Sequence, residues 1–296
     1  MRLLILEFIN NMKIFLQNLF LKKLALSGFV FLCVLLFLSV FIPFISPYEQ
    51  DIYGAVHFET AGQPPSFSHW FGTDTAGRDM LTITIRAGFY SLKVAFGVVF
   101  FSVLIGVPIG MFAGVASKRI DEIIMRITDG FLAFPPLILP IAITAALGPS
   151  LNNVIIGISI SWFPWYVRIA RSQALIISSL DYVSISRSMG AGKLHVIKTH
   201  ILPNSFSPIL TQATIDAGYA ILTAAGLSFI GLGAQHPDVE WGLLITQSRA
   251  QFINHWWEVI FPGIFILLTV ASFNIIGDEL RNTTNEKRLN SGGHPL

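Results

Sequence analysis

Two long stretches without any charged side chain limit what this chain can fold into. Residues 24–45 are apolar and uncharged, and no Asp, Glu, Lys or Arg occurs between Gly130 and Val167. A helix of about 20 apolar residues crosses the roughly 30 Å of bilayer hydrocarbon, so the first stretch predicts one membrane span. The second is long enough to require two spans, and the polar and glycine-containing segment 147–153 predicts the turn between them.

The composition agrees with a membrane protein. Hydrophobic residues make up 53% of the chain and charged residues 12%, about half the charge of a typical soluble domain, and the mean hydropathy is +0.66. The fold class predicted is therefore an all-α integral membrane protein. Its single cysteine, Cys33, lies in an apolar run, which excludes a disulfide framework or a cysteine metal site.

Six transmembrane helices are predicted from the apolar segments, at about residues 24–45, 92–114, 123–147, 154–177, 206–230 and 257–277. Residues 1–23 are apolar but interrupted by polar groups, which predicts an interfacial segment on the inner leaflet with Lys22 and Lys23 at the membrane boundary. Residues 46–88 form the predicted external loop and residues 89–281 a core with five transmembrane helices. A cytoplasmic tail is predicted for residues 282–296.

The distribution of positive charge gives the orientation. Of the 19 Lys and Arg residues, only four fall outside or at the outer boundary of this topology: Arg78, Arg86, Lys93 and Arg249. Inner loops carry the excess of Lys and Arg in membrane proteins. Both termini are therefore expected to be cytoplasmic.

The loop over residues 178–205 is polar but helix-forming. Each half carries one apolar stripe at helical spacing, formed by Tyr182, Ile185 and Met189 and by Leu194, Ile197 and Ile201. Gly190 and Gly192 predict a break between two short helices, because glycine adopts positive φ without steric cost. Pro203 biases the residue before it away from the α region, so the second helix is expected to end at Leu202. Arg187, Lys193 and Lys198 outnumber Asp181, which again predicts a cytoplasmic position.

This loop resembles the signature loop of the membrane subunits of ATP-binding-cassette importers. The resemblance consists of a helix of small residues, a glycine and a later Leu-Pro, carried here by Ser184, Ser186, Gly190, Ile201, Leu202 and Pro203. Serines stand at 184 and 186, and Ile185 between them, where the family usually has alanines. Four further blocks resemble the dipeptide, oligopeptide and nickel permease group, specifically its shorter C-type partner: residues 69–81, 132–136, 227–245 and 261–281. The resemblance runs from about residue 22 to residue 288.

The resemblance implies a type I importer permease of the inner (plasma) membrane, half of a pathway for peptides. It implies as partners a second permease subunit in a heterodimer, two ATPase subunits, an external or periplasmic solute-binding protein and membrane lipid, with no nucleic acid. The residues expected to couple to the ATPase are Asp181, Tyr182, Ser184, Ser186, Met189, Gly190, Gly192, Leu194, His200, Leu202 and Pro203. Nickel chelates or other small solutes remain alternative cargoes, and an ordinary surface loop remains the alternative interpretation of these residues.

The run Gly190-Ala191-Gly192-Lys193 resembles a phosphate loop only superficially. A Walker A loop needs a glycine five residues before its last glycine and Ser or Thr after the lysine, but Arg187 and Leu194 occupy those positions. No cofactor is therefore predicted in this chain, and ATP and Mg²⁺ are expected on the ATPase subunits. No catalytic pattern is present either, so an enzyme is not predicted. A secondary carrier would be expected to have inverted repeats, and no clear internal repeat is visible.

Two residues inside predicted spans are candidates for the pathway. Asp216 is an ionisable group within a span, which is costly and typical of function, although a hydrogen-bonded structural role is an equal alternative. Pro164, between Trp162 and Trp165, predicts a kink. For Asp129, near the inner end of the predicted third span, a helix-packing or boundary role is favoured over proton relay.

The external loop carries a separate group of His and acidic residues, namely His57, Glu59, His69, Asp74 and Asp79. They lack the ligand spacing of a metal site. A hydrogen-bonded turn over residues 72–79 is the favoured interpretation.

Overall fold

A computed structural model describes residues 22–290, with side chains to residue 282, and its regular structure there is entirely helical apart from one isolated bridge between Thr73 and Asp79. Residues 1–21 of the predicted interfacial segment and residues 291–296 of the predicted tail lie outside the described residues, while Lys22 and Lys23 stand at the start of α1. The helices are α1 (Lys23–Ile45), α2 (Glu49–Ile52), α3 (Met80–Val115), α4 (Lys118–Leu132), α5 (Ile138–Leu147), α6 (Leu151–Ser178), α7 (Asp181–Ser188), α8 (Lys193–Val196), α9 (Leu202–Phe229), α10 (Trp241–Ser248) and α11 (Trp257–Asn290). A π-helical turn, Ile197–Ile201, joins α8 to α9.

Helix α3 begins well before the predicted position. The sequence predicts an external loop up to residue 88 and a span from 92, but α3 starts at Met80, where Asp79 caps it by accepting from the Thr82 amide at 2.9 Å. The charge of Arg86 is accommodated inside the helix because its guanidinium donates to the Ser39 carbonyl and lies over the Phe89 ring. The segment predicted to be an external loop therefore ends at residue 79.

The predicted third span is divided into α4 and α5. Pro135 and Pro136 lie between them, and proline both removes a backbone donor and disfavours helical conformation in the residue before it. A single helix over 123–147 is thus replaced by two helices with a short irregular segment.

The predicted helix end at Leu202 is wrong. Leu202 is α-helical, with φ −57° and ψ −46°, and α9 begins there with Pro203 in its first turn. Proline is tolerated in the first turn of a helix, because the backbone N–H groups of that turn have no intrahelical partner and the loss of one costs no hydrogen bond. The preceding π-helical turn shifts the hydrogen-bond pattern at the same point.

Helices α3 and α6 lie side by side along a seam of glycines. A Cβ atom at Gly106 would lie 2.4 Å from the Phe163 carbonyl oxygen, and one at Gly110 would lie 2.2 Å from that of Val167. Such close approach of two backbones is what small residues spaced four apart allow in membrane helices. Because later residues of α3 meet later residues of α6, the two helices run in the same direction.

The other long helices alternate in direction. Helix α1 runs antiparallel to α3, with Ser39 at Arg86 and Ser46 at Thr82. Helix α9 is antiparallel to α11, since Gly218 approaches Val270 and Gly277 approaches Ile215. It is also antiparallel to α6, since Ala220 clusters with Ile158 and Ile209 with Ala174. Apolar packing of α3, α6 and α9 forms the centre of the described structure, around fully buried Val98, Ile158 and Ala220.

Length and composition identify three of the described helices as long and apolar enough to cross a membrane, namely Lys23–Ile45, Met80–Val115 and Trp257–Asn282. Helices α6 and α9 have 28 residues each, about 42 Å at 1.5 Å per residue. They are less apolar because they carry polar side chains such as Arg168, Gln212 and Asp216.

Candidate coupling surface and membrane recess

The polar loop after α6 is a pair of short helices with a defined hinge. Gly190 ends α7 with φ +94°, while its amide donates to the Arg187 carbonyl at 2.9 Å and the Ala191 amide donates to the Ser186 carbonyl at 3.1 Å. This is the Schellman arrangement, in which glycine at positive φ closes the helix. Gly192 has φ −70° instead and precedes α8 in extended conformation, so only the first glycine requires the left-handed region.

The side of this loop that faces the protein packs into the core. Val183, Val196 and Ile201 are fully buried, one from each helical segment of the loop. They pack in one cluster with Met111 of α3 and Ala174 of α6. The loop is therefore held against the ends of α3 and α6 by close apolar contact.

The opposite side of the loop, away from the core, exposes large apolar side chains. The exposed fractions are 84% for Met189, 63% for Leu194, 60% for Ile185 and 45% for Tyr182. The first predicted stripe thus faces outward as a whole, whereas the second divides into exposed Leu194, half-buried Ile197 and buried Ile201. Exposed contiguous apolar surface on a structured loop is typical of a protein contact site.

Polar contacts join the two halves of the loop. The Ser186 hydroxyl and the His200 ring nitrogen Nε2 are 3.2 Å apart, and Asn204 donates to the His200 carbonyl at 2.7 Å. The Tyr182 ring meets the His200 ring edge-on at 5.5 Å. The remaining predicted coupling residues Asp181, Ser184 and Leu202 are exposed and Pro203 is half-buried.

A recess of about 600 Å³ lies in the middle part of the helices. It is lined by Pro136, Leu137, Trp162, Trp165, Ile169, Gln212, Asp216, Tyr219 and Thr223. Asp216, one of the two predicted pathway residues, lines this recess. The other, Pro164, is buried in α6 between Trp162 and Trp165 and does not line it. Asp216 accepts hydrogen bonds from the Tyr166 hydroxyl at 2.7 Å and from Gln212 at 2.8 Å.

The sequence does not indicate which residues contact Asp216. Gln212 is one helical turn before Asp216, a spacing that could have suggested it. Tyr166 is 50 residues away on α6, and nothing local in the sequence connects the two. The glycine seam of α3, in contrast, is readable as small residues four apart at positions 106, 110 and 114.

Two ion pairs connect α4 to α6. Arg171 forms a bidentate pair with Asp121, with the Nη2–Oδ2 distance at 2.6 Å, and Arg168 pairs with Asp129 at 2.6 Å. The bidentate geometry fixes both partners. Asp129 therefore has a cation as partner and joins two helices.

Most histidines and acidic residues of the predicted external loop form hydrogen bonds. His57 contacts buried Asp51 at 2.8 Å and His69 contacts Asp79 at 3.0 Å. Asp74 accepts from the amides of Ala76 and Arg78, both at 2.9 Å, which is the hydrogen-bonded turn expected over residues 72–79.

The exposed Glu59 side chain is outside these contacts. Among the described residues, no three His, Cys, Asp or Glu side chains are grouped to hold a metal ion. Asp51, which the sequence does not single out, joins the loop to α3 by accepting from the Asp79 amide at 2.7 Å.

A second structured region near the start of α3 is built on Glu240 and Trp241. Glu240 is buried and caps α10 by accepting from the amides of Gly242 and Leu243, each at 2.7 Å. Burial raises the pKa of this carboxyl above its ordinary value. Trp241, fully buried, donates from its indole to the Thr84 carbonyl of α3 at 2.8 Å.

Comparison with known proteins gives matches over nearly the whole chain. Residues 106–284 match the family model described as the binding-protein-dependent transport system inner membrane component. Residues 11–65 match the N-terminal transmembrane domain of oligopeptide transport permease C.

Individual relatives extend this similarity. The chain is 40% identical to the probable D,D-dipeptide transport system permease protein of Escherichia coli, over 90% of this chain and 88% of that one. It is also 40% identical to the dipeptide transport system permease protein of Alkalihalophilus pseudofirmus, over 90% and 86%. The glutathione transport system permease protein of Pectobacterium atrosepticum is 34% identical over 90% and 88%.

The fold is similar to a solved structure as well. An inward-facing structure of the MetNI methionine ABC transporter aligns with a TM-score of 0.57 and 19% identity, covering 69% of this chain and 97% of that chain. At this identity the likeness concerns the fold.

Proposed function

The chain belongs to the binding-protein-dependent transport system inner membrane components, in the group of the oligopeptide permease C proteins, and we propose that it forms half of the translocation pathway of an ATP-driven peptide importer. The family consists of transport components, not enzymes, and of multi-pass proteins of the inner membrane. The complete importer would contain a second permease subunit, two ATPase subunits that bind ATP and Mg²⁺, and an external solute-binding protein.

The proposal rests most directly on the exposed apolar face of α7 and α8. Met189, Ile185 and Leu194 are held outward on helices whose opposite faces are buried in the core. Exposure of such an apolar face to water is unfavourable. Covering it with another protein is stabilising, because burial of one large apolar side chain contributes about 1.5–3 kcal/mol of free energy. A groove on an ATPase subunit is the partner proposed.

Six spans are proposed from the directions of the helices. Helices α3 and α6 run in the same direction, so the chain must cross back between them, and α4 with α5 is the segment available for that crossing. Helix α9 runs opposite to α6, and α11 opposite to α9. With α1 opposite to α3, this gives six crossings with the start of α1 and the end of α11 on one side.

The orientation is proposed from charge. The side that holds the start of α1, the end of α11 and the loop of α7 and α8 carries the excess of Lys and Arg, and such sides are cytoplasmic. In this arrangement residues 46–79 and α10 lie outside, where a binding protein would dock.

Peptides are proposed as the cargo because the relatives with 40% identity are dipeptide permeases by name. Nickel chelates or other small solutes are the alternative, and an ion-coupled secondary carrier is a less favoured one. Nothing in the described residues favours either of them.

The coupling role is tested by changing Met189 in the purified importer. Met189→Glu places a charge on the exposed apolar face, and loss of a contact worth on the order of 2 kcal/mol would weaken ATPase binding about thirtyfold. Met189→Leu keeps the face apolar and is the matched control. Copurification of the ATPase subunits and ATP-driven dipeptide uptake into proteoliposomes are measured. Full ATPase binding by the Glu variant would contradict the docking proposal.

The topology is tested with single cysteines in a Cys33→Ser background. A membrane-impermeant maleimide should label Glu59→Cys in intact cells, and Lys193→Cys only after the membrane is opened. The reverse pattern would overturn the proposed orientation.

A further inference from the structure

Asp216 is a membrane carboxylate whose partners in the described structure are neutral. Its two oxygens accept from the Tyr166 hydroxyl and the Gln212 amide. Within residues 22–282, no lysine, arginine or histidine forms an ion pair with it, whereas Asp121 and Asp129 of α4 both have arginine partners. When ionised, a carboxylate in this position has a negative charge without a cationic partner, which is costly unless a cation approaches it.

The surroundings of Asp216 suit an organic cation. Trp162, Trp165 and Tyr219 line the same recess, and the faces of aromatic rings attract ammonium groups. The two hydrogen bonds occupy only part of the acceptor capacity of a carboxylate, which has about four lone-pair sites. A donor entering the recess therefore still finds free acceptor sites between aromatic walls.

The size of the recess fits a small peptide. Its volume of about 600 Å³ lies within the range of roughly 300–1,000 Å³ typical of small-molecule sites. Apart from Asp216, its polar lining consists of uncharged groups such as Gln212 and Thr223. Only one charged end of a zwitterionic peptide is thus recognised, which is compatible with release of the peptide on the other side.

Building on the proposed function, we infer that Asp216 and the aromatic wall of Trp162, Trp165 and Tyr219 form a transient subsite for the protonated amino group of a peptide in transit. Tyr166 and Gln212 are positioning residues that hold the carboxylate toward the recess. The recognised chemistry is a primary ammonium group, so blocking that group on the peptide should abolish binding.

The subsite is tested in the assembled importer without its binding protein, so that recognition by that protein does not enter. Thr223→Cys in a Cys33→Ser background, with partner subunits lacking accessible cysteines, places one thiol in the recess. Dialanine should slow modification of this thiol by a water-soluble thiol reagent, whereas N-acetyl-dialanine should not. Adding Asp216→Asn should raise the dialanine concentration needed for half-protection about tenfold, the effect expected for one charge-assisted hydrogen bond.

Two controls keep the test specific. Asp129→Asn removes a carboxylate that Arg168 already neutralises and should leave protection unchanged. In the absence of peptide, the thiol at position 223 should react at the same rate with and without the Asp216→Asn change, which checks that the variant assembles normally. If Thr223→Cys itself prevents assembly, equilibrium dialysis of labelled dialanine against the importer gives the same comparison.

Equal protection by the acetylated peptide, or an unchanged half-protection concentration in Asp216→Asn, would overturn the inference. ATP-driven uptake in the presence of the binding protein is measured separately. Normal uptake without protection would reject the subsite alone, while absent uptake of every peptide would reject the proposed function.

Discussion

Asp216 and Glu240 are both carboxylates in an apolar protein, and they differ in what surrounds them. Glu240 is completely buried and both of its oxygens accept from backbone amides at the start of α10. Asp216 is only partly buried and lines the recess. The first carboxylate stabilises a local fold, and the second has acceptor capacity for a ligand.

The buried position of Glu240 predicts a pH dependence of stability. Because its pKa is raised in the folded state above the ordinary 4.5, the folded protein binds this proton more tightly than the unfolded chain. The contribution is therefore present below pH 4.5 and is lost as pH rises through the folded-state pKa. Glu240→Gln does not titrate, so its thermal unfolding midpoint in detergent should fall less over this range than that of the native protein. Parallel curves for the two proteins would contradict this assignment.

Gly190 and Gly192 form a matched pair for testing the hinge. A Cβ atom placed at either position would have no neighbouring atom within 4 Å. The same substitution at the two positions is therefore distinguished only by the backbone conformation of each glycine. Valine is strongly disfavoured at the positive φ of Gly190 and acceptable at the φ of Gly192. Gly190→Val should retain membrane insertion and ATP hydrolysis but lose most peptide uptake, while Gly192→Val should transport normally. Equal uptake by both variants would show that the hinge transmits nothing.

At the scale of the elements, the sequence is most informative where a helix faces lipid. Helix α1 spans residues 23–45 against the predicted 24–45, because an uncharged run long enough to cross the bilayer has few alternatives. The first three turns of α3 are not predicted because Arg86 resembles a loop residue, and only the Ser39 carbonyl and two aromatic rings explain its place in a helix.

The structure of the candidate site could be predicted from the sequence to a similar extent. The hinge at Gly190 follows from local chemistry, and the apolar stripes follow from helical spacing. Periodicity identifies an apolar face but not what covers it. The exposure of Met189 and the burial of Ile201 can therefore be understood only from the packing of the loop against α3 and α6. The contact of Tyr166 with Asp216 joins two separate helices and could not be predicted from either.

The seam between α3 and α6 gives a prediction at the same scale. An alanine at Gly110 would bring its Cβ within 2.2 Å of the Val167 carbonyl oxygen, and backbone cannot move away cheaply. Overpacking of this kind costs about 1–3 kcal/mol, so Gly110→Ala should lower the thermal midpoint in detergent. Gly130→Ala on α4 has open space around it and should be neutral or slightly stabilising, since alanine is the better helix former. A neutral Gly110 variant would argue against the close contact.

At the scale of the whole molecule, the proposed function makes the chain one part of a larger assembly. The loop of α7 and α8 presents an uncovered apolar face, and the chain lacks the phosphate-loop pattern needed to bind ATP. Motion would therefore have to be supplied from outside, by closure of the partner ATPase subunits against this face.

The purified chain alone in liposomes should therefore accumulate no dipeptide, with or without ATP inside. The full importer with its binding protein, prepared in the same lipid, is the positive control. Radiolabelled peptide retained after filtration is the measurement. Accumulation by the lone chain above that of empty liposomes would reject the view that it depends on an ATPase partner.

The glycine seam also determines how a push on the inner loop travels. Two helices whose backbones touch along several turns cannot slide past each other without steric collision, so in the proposed importer α3 and α6 would move together. A tilt applied at the loop end of this pair would then move the α6 side of the recess, with Trp162 and Trp165, relative to the α9 side that holds Asp216.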